Sequence, residues 1–297
     1  MSNNKNDLPD VQETAPNIRI PIKQVGVENV EVPFKLESKY GGFHQLLANV
    51  SMRTSLDKDT KGISMSRLLL TLKPYLDLPL KSRLIKQILE DLMKNVESSA
   101  SFMKFEFRLP IKRQSVKSLN VFPIYYKCSF EGQLYLLHDE SAVSSFPDEL
   151  DFKFYQGVTI QYASYCPCSA ELCEDLNNKG SAGFPHNQRS FADILVEVVE
   201  PSYVWLEDII ETVESNIITL PYPIIKRVDE QEIARIAAQN PMFVEDAIRL
   251  ISQSLDERDD IYDWIVKCSH EESIHTSEAI AINFKGVTNG FNERYYL

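Results

Sequence analysis

The stretch from Cys166 to Ser190 concentrates reactive side chains: Cys166-Pro167-Cys168-Ser169, a polar connection, then His186-Asn187-Gln188-Arg189-Ser190. Two thiols, an imidazole and a guanidinium fall within one short segment. Pro167 biases Cys166 toward extended backbone, and in an extended chain residues i and i+2 face the same way, so both thiols are expected to address one site. That is half of a metal or nucleophile site, although the same pair is equally compatible with two inert thiols.

Partners for the pair must come from the other histidines and the carboxylates. His44 and His138 lie far away in the first half and read as ordinary surface or core histidines, whereas His270 and His275 bracket Glu271-Glu272-Ser273-Ile274. A mixed Cys/His/Glu set with an open position suits a catalytic zinc site, while a structural site closes with four Cys or His. No second Cys pair at finger-like spacing is present, so any metal is expected to be catalytic. Lys61-Gly62-Ile63-Ser64-Met65-Ser66-Arg67 opens an apolar helical run. Its plain reading is a capped helix with solvated basic residues; the sharper one is phosphate held near a helix N-terminus. Acids in Lys226-Arg227-Val228-Asp229-Glu230 and Phe243-Val244-Glu245-Asp246 read as carboxylates complementing helix dipoles on a solvated face.

These residues need elements to position them. Leu84, Ile85, Ile88, Leu89, Leu92, Met93 and Val96 line one face of a helix over residues 81–96. Residues 103–109 and 121–130 read as strands, followed by 132–137, with Glu131-Gly132 as a turn. In the second half, residues 151–165 form a strand leading into the Cys pair and 190–199 a strand leaving the His186 segment. Two helices follow, one carrying Leu206, Ile209, Ile210 and Val213, the other starting at Asn240-Pro241. Residues 261–268 and 279–284 return to strand character. The absence of regular βαβ alternation predicts an α+β fold of two similar modules joined near residues 138–150.

The chain of 297 residues is long enough for one large or two ordinary domains, and residues 1–16 read as a flexible polar arm. Five cysteines do not suggest a disulfide scaffold, and a signal peptide and long apolar runs are both lacking, so a cytoplasmic protein without membrane contact is expected. A net charge of -12 argues against broad nucleic-acid contact but permits a small anionic substrate in a local basic pocket.

Six segments in order, residues 55–67 (SLDKDTKGISMSR), 165–169 (YCPCS), 186–190 (HNQRS), 226–230 (KRVDE), 240–250 (NPMFVEDAIRL) and 272–275 (ESIH), resemble type IB GTP cyclohydrolase, the prokaryotic metal-dependent family. Residues 10–12 and 25–33 resemble its N-terminal region. The resemblance implies tandem tunnelling-fold (T-fold) modules, here 17–145 and 146–297, each an antiparallel sheet with helices on one face. It also implies a homotetramer with sites at subunit interfaces, and conversion of GTP and water to 7,8-dihydroneopterin triphosphate and formate, the entry to folate biosynthesis. Carried over by position, Cys166, Glu230 and His275 match metal ligands for Zn, Mn or Fe, His186 a proton-transfer or additional ligand residue, and Glu245 the acid that anchors guanine. Cys168 falls in a supporting catalytic role, and Lys61, Arg67 and Arg189 are candidates for the triphosphate. The connection 169–185 is longer than the family pattern, Pro185 stands where Ala is common, and Ser277 replaces a second histidine. Two other readings stay open on the sequence: a non-catalytic T-fold paralogue binding a purine or pterin, and a cyclohydrolase with a cyclic-phosphate product.

Overall fold

Long strands dominate the chain because its β-branched and aromatic residues alternate with polar ones, the pattern of a sheet with one buried face. The computed structural model describes residues 12, 14–137, 149–199 and 203–296. Most of the expected arm and of the expected junction at 138–150, and His138 with it, lie outside the described residues. Among the described residues one antiparallel sheet carries eight strands in chain order: β1 (Ile22–Glu37), β2 (Phe43–Leu56), β3 (Ala100–Gln114), β4 (Val121–Leu137), β5 (Glu149–Tyr165), β6 (Asn187–Glu197), β7 (Asp263–Glu272) and β8 (Glu278–Phe284). The chain divides into two compact units, residues 1–106 with 131–154, and 107–130 with 155–297.

In the first unit β1 and β2 form a hairpin that closes at Glu37 and Phe43. Helix α1 (Met65–Leu72) lies in the helical run expected to open over residues 61–67, with Ser64 as an N-cap that makes no side-chain cap bond, and α2 (Ser82–Val96) buries Ile85, Ile88, Leu89, Leu92 and Met93. Each such side chain contributes about 1.5–3 kcal/mol on leaving water. The expected turn at Glu131-Gly132 is absent, because β4 runs straight through it. Gly132 is there for space: a Cβ would strike the Ile85 and Leu89 side chains, so the residue lets α2 lie close on the strand.

The second unit holds the chemistry-bearing residues. Even-numbered residues of β5, β6 and β7 share one buried face, including Ile160, Tyr162, Ile194, Val196, Val266 and Cys268. Helices α4 (Leu206–Glu214), α5 (Arg227–Gln239) and α6 (Val244–Asp256) follow β6. Helix α6 covers that face: Trp264 Nε1 donates to Asp256 Oδ1 at 3.0 Å and Asn283 Nδ2 to Ser252 Oγ at 2.9 Å. The acids of 226–230 do mark the start of a helix, α5, whose length the sequence does not define, and α6 begins later than the expected Asn240-Pro241 start. Asn240 instead ends α5, donating to Ile236 O at 2.7 Å, and Met242 N–H donates to Tyr165 O at 2.9 Å, which holds the intervening segment extended beside the end of β5. Helix α6 starts at Phe243, whose N–H is met by Asp246 Oδ2 at 3.3 Å.

Candidate metal centre

Strand register decides which side chains meet. Tyr162 lies opposite Ser190, which lies opposite His270; two residues along, Ser164 faces Gln188, which faces Glu272. With a side-chain period of two, the next positions on the same face are Cys166, just past β5, and His186, just before β6. Donor atoms of Cys166, His186 and Glu272 accordingly all lie within 4.8 Å of one another, and all three residues are half-buried.

Cys166 is the N-cap of a further helix, α3 (Pro167–Asn178), with Pro167 at the first helical position. This corrects the expected extended pair: Pro167 fixes Cys166 outside the helix but suits the first turn, so Cys168 turns away and is exposed. The 169–185 connection is largely α3 itself, ended by Gly180 at φ 82° with Ser181 N–H donating to Leu176 O at 3.0 Å. Ser169 Oγ accepts from the His186 N–H at 3.3 Å, so the first turn of α3 also seats the histidine.

His186 Nδ1 is buried and has no hydrogen-bond partner among the described residues. An orphaned ring nitrogen beside a thiol and a carboxylate fits a metal ligand, and this donor set suits Zn, Fe or Mn. Glu272 receives Gln188 Nε2 at 2.9 Å on Oε1, while Oε2 lies 3.3 Å from His275 Nε2. His275 is exposed and reaches the group through that contact. Behind the group His270 is 2 % exposed and hydrogen-bonded to Tyr162 and Ser164; burial pushes its pKa down to about 4, opposed by the charge of Glu245. Glu245, exposed in the first turn of α6, therefore acts on the same end of the sheet.

Other expected residues stand apart from the group. Glu230 is exposed in the first turn of α5. Its neighbour Asp229 is fully buried and accepts from Lys117 N–H, Ser118 N–H and Lys226 N–H at 2.7–2.8 Å and from Ser118 Oγ at 2.5 Å, which holds its carboxyl well below the usual range. Arg189 is exposed and, being odd-numbered on β6, points to the opposite face of the sheet from Cys166 and His186. Lys61 and Arg67 are exposed in the first unit.

The family model for type I GTP cyclohydrolase folE2 matches residues 8–281. The chain belongs to this family. GTP cyclohydrolase FolE2 of Cereibacter sphaeroides is 33% identical over 289 residues, covering 96% of this chain and 77% of that protein; the protein of the same name from Roseobacter denitrificans is 32% identical, with 96% and 76% covered. Among solved structures a highly active mutant of Bacillus sp. TB-90 urate oxidase aligns with TM-score 0.56 at 10% identity over 89% of this chain and 99% of that one. A uricase from Bacillus fastidious aligns at TM-score 0.52 and 10% identity, with 88% and 92% covered. These likenesses show the tunnelling fold, in agreement with the expected α+β sheet with helices on one face. No helix among the described residues is long and apolar enough to cross a membrane.

Within this GTP cyclohydrolase chain Cys166 and His186, both candidates from the sequence, lie side by side, and Glu272, which was not among the candidates, joins them. The residue sits in a run of five polar residues in six, His270 to His275, and only the β6/β7 register separates it from Glu271. Every residue from His186 to Ser190 is polar, so no alternation marks the face that Glu272 shares.

Proposed function

We propose that this chain converts GTP and one water to 7,8-dihydroneopterin triphosphate and formate, the first step of folate biosynthesis. The carrying observation is the Cys166, His186 and Glu272 group, assembled on one sheet face of a chain that belongs to a GTP cyclohydrolase family. Cys166 as thiolate, a ring nitrogen of His186 and the Glu272 carboxylate would hold a divalent ion, Zn, Mn or Fe, with His275 and Glu230 the further ligands that the resemblance supplies. Such an ion contributes Lewis acidity that makes water a competent nucleophile near neutral pH.

The protein's own groups do the rest. Glu245 offers a carboxylate that accepts from guanine N1–H and the exocyclic amine together, which orients C8 toward Cys166 and His186. The resemblance also gives His186 proton transfer at C8 and at the imidazole-ring nitrogen as formate leaves, the alternative to its place as a ligand. Lys61, Arg67 and Arg189 receive the triphosphate, concentrating positive charge in an acidic chain. Arg189 and Glu230 stand outside the group within one chain, which supports a homotetramer whose sites draw on neighbouring copies. The module boundaries 17–145 and 146–297 fit the element order, in which two strands, helices and two strands occur twice. The negative net charge supports a protein without nucleic-acid partners.

The test is incubation of purified protein with GTP and each of Zn²⁺, Mn²⁺ and Fe²⁺, followed by oxidation and detection of fluorescent neopterin phosphates and of formate. Both products are expected with at least one metal; neither with any metal overturns the reading.

A further inference from the structure

Behind Glu272 runs a line of buried polar side chains that packing alone does not require. Tyr162 Oη lies 2.9 Å from His270 Nε2, His270 Nδ1 3.3 Å from Ser164 Oγ, Ser164 Oγ 2.8 Å from Gln188 Oε1, and Gln188 Nε2 2.9 Å from Glu272 Oε1. Tyr162, Ser164, Gln188 and His270 are each no more than 3% exposed. Burying four such residues is costly unless every donor and acceptor is used.

The proton positions follow from one end. An ionised carboxylate only accepts, so Gln188 must turn its amide N–H₂ to Glu272 and its carbonyl to Ser164. Ser164 then gives its single proton to Gln188 and can only accept from His270, so the neutral ring carries its proton on Nδ1. Nε2 is left to accept from the Tyr162 hydroxyl. Ser190 Oγ, 2.9 Å from Ser164 Oγ, supplies the second donor that Ser164 can take. Each of these contacts has one donor and one acceptor under this single assignment, and every bond in it donates toward Glu272.

We infer that Gln188 is a positioning residue for the metal centre: through the Tyr162, His270 and Ser164 line it fixes the Glu272 carboxylate, as an acceptor, against Cys166, His186 and His275. The inference rests on the proposed metal-dependent reading of that site. Gln188 is not one of the three grouped residues and meets them through Glu272. Groups that orient ligands in this way commonly change metal affinity by about 10–100-fold.

The experiment is a double-mutant cycle on Zn²⁺ affinity, read by chelator competition in the absence of GTP, with near-ultraviolet circular dichroism confirming the fold. Gln188→Ala should weaken Zn²⁺ binding by about 10–100-fold in the wild-type background and by less than about twofold in the Glu272→Gln background. Equal losses in both backgrounds, or no loss in either, overturn the inference. If Gln188→Ala does not fold, Ser164→Ala, one link further back, is put through the same cycle under the same criteria. Because no turnover is read, a protein that binds Zn²⁺ with this coupling yet makes no pterin would overturn the proposed reaction and leave the positioning role standing.

Discussion

Asp229 and Glu272 are both carboxylates at the ends of elements in the second unit, and their oxygens are used in opposite ways. Asp229 accepts four hydrogen bonds, which tie the turn at Lys117 and Ser118 to the start of α5 and leave no lone pair for a ligand. Glu272 accepts one amide N–H on Oε1 and turns the rest of its capacity toward His275, Cys166 and His186. The two acids look alike in sequence, each beside another acid. Saturation marks the structural carboxylate, whereas the half-buried Glu272 keeps acceptor capacity for a ligand.

That contrast is broken most severely at Cys166. Cys166→Ala is expected to lose bound metal and to reduce neopterin formation by at least about a hundredfold, since an N-cap with no side-chain cap bond contributes little to folding; metal analysis alongside pterin fluorescence checks this. Next comes Glu245→Ala, which should retain metal but raise KM for GTP by about 10–100-fold, the value of a lost charge-assisted pair, read as a KM effect larger than any in kcat. Asp229→Asn should lower the melting temperature by several degrees while Zn²⁺ affinity stays within about threefold. The sign with pH is definite. The folded Asp229 carboxyl titrates below its ordinary value of 3.8, so as pH falls the unfolded chain takes up the proton first. Stabilisation present above that ordinary value is lost on the acid side, and Asp229→Asn should flatten this part of the stability profile measured by thermal melts between neutral and strongly acidic pH. The smallest change is expected for Arg189→Ala: unaltered metal content and a few-fold rise in KM for GTP that shrinks with added salt.

What could be read from the sequence follows from the range of the interactions involved. Helix α2 and the approach of β5 to Cys166 were legible because their patterns are local, a 3.6-residue stripe and a β-branched run. Gly132 misled because glycine serves both turns and close packing, and only the approach of α2 distinguishes them. The Cys pair misled in the same way: Pro167 favours an extended residue before it and equally a helix after it, and the second effect removed Cys168 from the face of Cys166. Helix α5 was legible only at its acidic start because its apolar stripe is thin, with Ala237 its one buried apolar residue. Glu272 was out of reach for a different reason. Its partnership with Gln188 spans 84 positions and depends on a register that a one-residue slip would invert.

We place the metal centre of this GTP cyclohydrolase at the Cys166, His186 and Glu272 group. Anomalous diffraction from crystals soaked in Mn²⁺ tests it most directly. The account predicts a single strong peak per chain within bonding distance of Cys166 Sγ and a His186 ring nitrogen, with the Glu272 carboxylate against it. A peak beside Glu230 that contacts neither Cys166 nor His186 would contradict it.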